Sequence, residues 1–101
     1  MDEAALIALL KTTNLPVAYH HFTSPPSPPY IVYLFSYSSN FGADNKVYQK
    51  DFNYQVELYT TKKDLASEAL IEDLFNANDI YWEKTETYIE GEGLYQVLYE
   101  I

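Results

Sequence analysis

Several residue types are missing or scarce in this chain, and each absence narrows what the protein can be. Cysteine is absent, which excludes disulfides and thiol chemistry. Arginine is absent as well, so the chain lacks the residue best suited to bidentate phosphate contact, which argues against nucleic-acid binding. No apolar run is long enough to span a membrane, and no signal peptide is recognisable. We therefore expect a protein that is made and used, or assembled, in a reducing cytoplasm.

What is present indicates one folded domain. The chain has 101 residues, of which 48% are apolar, and it contains 11 tyrosines but only three glycines and one methionine. A chain of this length fits one ordinary domain, and tyrosine is common in strands that have one buried and one solvent-exposed face. We predict a single domain over residues 1–101.

The acidic charge is unevenly distributed along the sequence. The charges of five acids and five lysines cancel between residues 1 and 63. Residues 64–101 contain ten acids but only one lysine, Lys84. The whole net charge of −9 therefore belongs to the C-terminal part. Such a surface serves solubility or meets a partner, and both interpretations stay open at this point.

Periodicity and turn residues predict two helices and five strands, and the glycines of Glu90–Gly93, which can take positive φ angles, predict a tight hairpin turn between the last two strands. The N-terminal segment is rich in good helix formers, and apolar residues alternate with polar ones in most of the later segments. The predicted helices are Asp2–Thr13 and Lys62–Ala77. The predicted strands are Val17–Phe22, Tyr30–Tyr37, Lys46–Thr60, Ile80–Glu90 and Leu94–Ile101.

The predicted strand Lys46–Thr60 leads directly into the second predicted helix, and the rest of the predicted fold packs around these two elements. Thr61 with Asp64 three residues later matches a capping box, which predicts the start of the helix. An apolar stripe should pack on the sheet, while the acids face water. The predicted stripe is Ala66, Leu70, Ile71 and Leu74, and the predicted solvent-facing acids are Asp64, Glu68 and Glu72.

Two N-terminal segments carry less regular patterns. Residues Ser24–Pro29 contain four prolines in six positions, which favours a rigid connector over a docking motif for a proline-binding partner. Strand Tyr30–Tyr37 is almost continuously apolar, so we predict that it is covered on both faces at the middle of the sheet. His20 and His21 should point to opposite faces of a strand, which argues against a shared metal.

Chemical motifs do not stand out in the sequence. There is no phosphate-binding glycine loop, nucleophile elbow or metal-binding cluster. Glu83, Glu86 and Glu90 are the only carboxylates that suggest acid–base catalysis, and Glu83 and Glu86 should lie on opposite faces of one strand. We predict a non-enzyme without a cofactor or metal.

The sequence resembles tail-completion or tail-terminator proteins, which join head to tail in long-tailed phages and prophages of Gram-positive bacteria. The resemblance covers most of the chain and consists of packing and turn patterns. It is carried by Leu15–Tyr19, Pro28–Tyr30, Asn40–Asn45, Tyr54–Thr60 and Leu94–Glu100.

This resemblance implies an α+β fold, with an antiparallel or mixed sheet of four to five strands and two helices on one face. It also implies a non-enzymatic ring, commonly a hexamer, at the head-proximal end of the tail. The ring would end tail-tube growth and contact tail-tube and head-connector proteins. The protein would then reside in the virion, at the head–tail junction, after assembly in the host cytoplasm.

Two surfaces are the candidate contact sites of such a ring. The first is the tip of a hairpin about 40 Å long, whose Phe41 is either folded back or held out for a partner. Its candidate contact residues are Asn40, Phe41, Asp44, Lys46, Tyr48 and Lys50. The second is an acidic surface at Glu86, Glu90 and Glu92, which as a ring lumen would repel DNA phosphates.

Other classes of protein remain open from sequence. The chain could be a stand-alone acidic binding module of the inhibitor or immunity type, another ring component of the head–tail connector, or a small enzyme that uses the strand carboxylates.

Overall fold

The computed structural model describes residues 2–38, 41–43, 46–49 and 52–101. Their elements follow the chain as two helices and seven strands. The helices are α1 (Glu3–Lys11) and α2 (Leu65–Ala77), and the strands are β1 (Val17–Tyr19), β2 (Tyr30–Ser38), β3 (Phe41–Ala43), β4 (Lys46–Gln49), β5 (Phe52–Thr60), β6 (Glu83–Ile89) and β7 (Leu94–Glu100).

Five of the strands form one mixed sheet in the order β1-β2-β5-β7-β6. The pairing of β1 with β2 is parallel, and the other three pairings are antiparallel. Strands β3 and β4 form a separate two-stranded sheet. Because β5 is the middle strand, the prediction that Tyr30–Tyr37 lies at the middle of the sheet is wrong.

Both helices pack against the same face of this sheet. Leu6 and Leu10 of α1 share one core with Ile71 and Phe75 of α2. The strands contribute alternate side chains to that core, as the period of a strand requires. These are Ile31, Tyr33, Tyr54, Val56, Leu58, Val97 and Tyr99. The prediction of an α+β fold with two helices on one face is confirmed.

Strand β2 is covered on both faces over only part of its length. Residues 30–33 are buried, whereas residues 35–38 are exposed and contain a register shift between Phe35 and Tyr37. The prediction that the apolar strand Tyr30–Tyr37 is covered on both faces therefore holds only for its first half. The bulge carries Tyr37 to the face opposite the helices, where its paired residue Asn53 lies.

The predicted strand Lys46–Thr60 is two strands in the structure. Strand β4 ends at Gln49 and pairs with β3, while β5 starts at Phe52 and pairs with β2 and β7. The predicted strand Val17–Phe22 ends at Tyr19, and Ile80–Glu90 is reduced to Glu83–Ile89. Ile80 and Trp82 precede β6 and pack against the core.

Helix α2 begins later than predicted and uses a different cap. Asp64 is the N-cap, and its carboxylate accepts hydrogen bonds from the amide of Ser67 at 3.1 Å and from its hydroxyl at 2.8 Å. Aspartate at this position satisfies free amides of the first turn, so the helix starts at Leu65 and the Thr61 capping box is wrong. The buried side of α2 is formed by Ser67, Glu68, Ile71 and Phe75, not by Ala66 and Leu70.

Candidate functional site

The first predicted surface is an arm, defined here as strands β3 and β4, that lies between β2 and β5 in sequence. Phe41 pairs with Gln49 and Ala43 with Lys46, with a register shift between Phe41 and Gly42. Among the predicted contact residues, Phe41, Lys46 and Tyr48 lie on the strands of the arm. Asn40, Asp44 and Lys50 lie outside the described residues.

The second predicted surface lies on the hairpin of β6 and β7. The turn at Glu90–Gly93 is confirmed, since the amide of Gly93 donates to the carbonyl of Ile89 at 2.9 Å. Gly93 has φ 63°, a conformation that glycine adopts without a steric penalty. Glu90 and Glu92 are exposed on this turn.

Glu86 differs from the two turn acids because it already has a partner. Its cross-strand neighbour is the core residue Val97, which places Glu86 on the side of the sheet that carries the helices. Its carboxylate lies 2.6 Å from the ammonium of Lys63. The structure therefore does not present Glu86, Glu90 and Glu92 as one uncompensated acidic surface.

Glu86 belongs to a charge cluster that connects α2 with β6. Glu68 lies at its centre, with one carboxylate oxygen 2.8 Å from the ammonium of Lys63 and the other 3.1 Å from that of Lys84. Lys84 also contacts Glu72 at 2.8 Å. The cluster is defined here as Lys63, Glu68, Glu72, Lys84 and Glu86, and it contains three carboxylates and two ammonium groups.

The pKa shifts in this cluster follow from burial and ion pairing. Burial alone raises the pKa of Glu68, whose side chain is only 3% exposed, but Lys63 and Lys84 more than offset this and hold the pKa below its usual value. The carboxylate of Glu72 raises the pKa of Lys84. Burial raises the pKa of Tyr99, and the hydrogen bond that its hydroxyl donates to the Glu72 carboxylate at 2.7 Å raises this pKa further.

Sequence reasoning placed Glu68 and Glu72 in water, and for Glu68 this prediction is wrong. Glu68 precedes Ile71 and Phe75 by three and seven residues, so it lies on the buried side of α2. A charge is tolerated there because two ammonium groups reach it. Lys84, the only cation among ten acids, was the available signal for such a partner.

The face of the sheet opposite the helices, called the open face here because neither helix packs on it, carries a second group of acids. Glu83 and Glu100 lie directly opposite each other on β6 and β7, and Glu83 accepts a hydrogen bond from the hydroxyl of Tyr81 at 2.7 Å. Both residues line a cavity of 180 Å³ together with Tyr37. Since Glu83 and Glu86 are on opposite faces, the structure does not bring these candidate acid–base residues together.

The two histidines and the proline segment lie at the other end of this open face. The prediction that His20 and His21 point apart is wrong, because β1 ends at Tyr19 and His20 has φ 67°. Their Nδ1 atoms are 3.0 Å apart. Both residues line a 180 Å³ cavity that is also lined by Pro25, so the proline segment lies near the sheet.

Two further properties concern ligands and membranes. In the described ranges, no three histidine, aspartate or glutamate side chains are grouped so that they could hold a metal ion. No helix within the described part of the chain is long and apolar enough to cross a membrane.

Comparisons with protein-family models and with curated proteins give no relative from which a function could be transferred. No protein-family model matches the chain, and no curated protein matches it significantly. Evidence on function therefore comes from the fold and from the surfaces described above.

Proposed function

We propose that the chain is a non-enzymatic structural protein of a long-tailed phage or prophage. In this role it assembles as a ring at the head-proximal end of the tail, ends tail-tube growth and joins tail to head. The proposal is supported by the α+β fold that the resemblance implied, with two helices on one face of a mixed sheet.

The arm is the observation that carries the proposal. Strand β2 pairs with β5 as far as Ser38 and Phe52, and the chain between them forms a separate pair of strands. The longest extent of the protein is 50 Å, against 29 and 22 Å in the other directions. The arm stands outside the five-stranded sheet, which leaves its strands available to contact a neighbouring subunit of a ring.

The distribution of charge also suits a ring around DNA. Glu90 and Glu92 are exposed at the tip of the β6–β7 hairpin and are candidates for a lumen that repels phosphate. Glu86 contributes less to such a lumen because its carboxylate is paired with Lys63. The lumen hypothesis now depends on the turn rather than on the strand.

The genes beside the coding sequence provide the first test. We expect portal, capsid and tail-tube genes on its two sides, and their absence would contradict the proposal. The neighbouring tail-tube protein can then be assembled into tubes and mixed with the purified chain. Electron microscopy should show rings at one end of each tube and no further growth from that end.

A pair of variants makes the assembly test specific to the arm. We expect Phe41→Ser to reduce ring formation on the tubes strongly, because it removes one of the two aromatic side chains, Phe41 and Tyr48, among the predicted contact residues. Leu65→Ser is the matched control, since Leu65 is 69% exposed on α2 and far from the arm in sequence. Equal loss of rings in both variants would count against the arm as the contact.

The acidic surface favours a second candidate, a stand-alone module that binds a basic protein. Such a module would stay monomeric with tail tubes present and would form a complex of defined stoichiometry with its partner. Light scattering on the chain, alone and with the tubes, separates these two functions.

A further inference from the structure

Strand β6 is an open edge of the five-stranded sheet. Among the strands of the described residues it pairs only with β7, in an unbroken register from Glu83 opposite Glu100 to Ile89 opposite Leu94. Residues 83–88 are all exposed. Because alternate residues of an antiparallel strand direct their backbone groups away from the partner, β6 presents a row of donors and acceptors on its outer side.

Three features that protect many edges, namely short length, proline and a bulge, are absent from β6, although charged side chains, which also discourage unspecific pairing, are present at Glu83, Lys84 and Glu86. The strand has seven residues, contains no proline and shows no bulge in its pairing with β7. The opposite edge, β1, has only three residues. Long, regular edges invite the addition of another strand, and short ones do not.

The charge cluster holds β6 in place before any partner arrives. Lys84 contacts Glu68 and Glu72 of α2, and Glu86 contacts Lys63, which precedes that helix. Lys84 and Glu86, which lie next to each other on the same face of β6, are therefore both held by ion pairs to α2 and the residues before it. An edge that is already ordered loses less conformational entropy when a second strand binds.

The charge around this edge selects the partner. Glu83 and Glu100 lie on the open face, and Glu90 and Glu92 lie at the end of the hairpin. The one lysine of β6 is already paired with two carboxylates. A second copy of the chain would bring the same acidic hairpin and the same net charge of −9 to this edge, so pairing of β6 with itself is disfavoured.

We infer that β6 is a docking edge for an extended, lysine- or arginine-bearing segment of another protein. The segment adds as a sixth strand through backbone hydrogen bonds, and its basic side chains on the open face meet Glu83 and the acids near it. This inference rests on β6 and the charge cluster, not on the ring. It would survive if the chain formed no ring at all.

A designed peptide tests the inference on the full chain. The probe is a nine-residue peptide in which lysine alternates with threonine and valine, with blocked ends. At saturation we expect alternate amides of residues 83–89 to exchange at least about tenfold more slowly with solvent. The measurement is residue-resolved hydrogen exchange by NMR. No binding, or binding without this alternating protection, would overturn the inference.

Two control peptides separate strand addition from simple charge attraction. One replaces each lysine with glutamate and should not bind, because it carries the charge of the edge. The other keeps the lysines and replaces the threonines with proline, which cannot donate to a ladder. We expect the proline peptide to bind at least about tenfold more weakly than the original peptide. Equal binding of the two peptides would show that charge alone attracts them, and it would overturn the inference.

Two protein variants locate the charge contribution. Glu83→Gln should weaken lysine-peptide binding by about threefold, as expected for an exposed ion pair. The control, Asp73→Asn, removes one exposed acid from α2 and should change binding by less than that. Equal weakening in both variants would show that only net charge matters. Circular dichroism checks that both variants keep their fold.

Discussion

The two edges of the sheet are built in different ways. Strand β1 is short, runs parallel to β2 and contacts α1, whose Leu6 and Leu10 are fully buried in the core. Strand β6 is long and antiparallel, and it is tied to α2 through ion pairs. One edge is therefore maintained by apolar packing and the other by charge, so the two should respond differently to mutation and to pH.

The largest expected effect is at the apolar edge. Leu10→Ala removes a fully buried side chain of α1 and should lower the free energy of unfolding by about 2–5 kcal/mol. The loss should be the same at low and high salt, because no charge is involved. Urea unfolding at both salt concentrations checks this, with Leu65→Ala as the exposed control, expected to change stability by less than about 0.5 kcal/mol.

A smaller effect is expected in the charge cluster. Glu68→Gln leaves both lysines with one carboxylate fewer. We expect the free energy of unfolding to fall by about 1–3 kcal/mol at neutral pH. This is less than for a fully buried ion pair, because the lysines are partly exposed. Urea unfolding provides the measurement, and Asp73→Asn is the control. A variant as stable as the wild type would show that the cluster does not hold β6 to α2.

The pH dependence of this difference has a definite sign. The pKa of Glu68 is lower in the folded state than in the unfolded chain, so its stabilising effect is complete above the unfolded value of about 4.3. It is lost as the pH falls through the lowered folded value. The stability gap between wild type and Glu68→Gln should therefore shrink from about pH 5 downward, and a gap that widens in acid would contradict the ion-pair account.

The smallest of these effects tests how α2, the helix that anchors β6, begins. Asp64→Ala should cost about 1 kcal/mol, since it removes the acceptor for the Ser67 amide. Thr61→Ala should change the free energy of unfolding by less than about 0.5 kcal/mol, because Thr61 is exposed and lies outside the helix. Thermal or urea unfolding of both variants distinguishes the two caps, and the reverse order would favour the capping box.

Local patterns predicted much of the fold. The glycines of the β6–β7 turn and the alternation of apolar residues in β5 both identified their elements, because turn geometry and burial on one face are set by neighbouring residues. Which strand is central could not be predicted in this way. The burial of β2 depends on its neighbours β1 and β5, and these are distant in sequence.

The charge cluster shows where reasoning from periodicity fails. An acid on a helix is normally assigned to solvent, but Glu68 is buried and is ion-paired with Lys63, five residues earlier, and with Lys84, sixteen residues later. A second failure is His20, whose φ of 67° ends β1 without a glycine to signal it. In both cases the deciding partner or conformation is set by tertiary structure.

The central claim is that β6 is ordered by the body of the protein yet open on its outer side. Residue-resolved hydrogen exchange on the free chain tests this most directly. Along β6 we predict alternation, with amides directed at β7 protected and the amides between them exchanging fast, whereas β5, paired on both sides, should be protected at successive residues. Uniform protection along β6 would mean that the edge is covered, and uniform fast exchange would mean that the strand is not held.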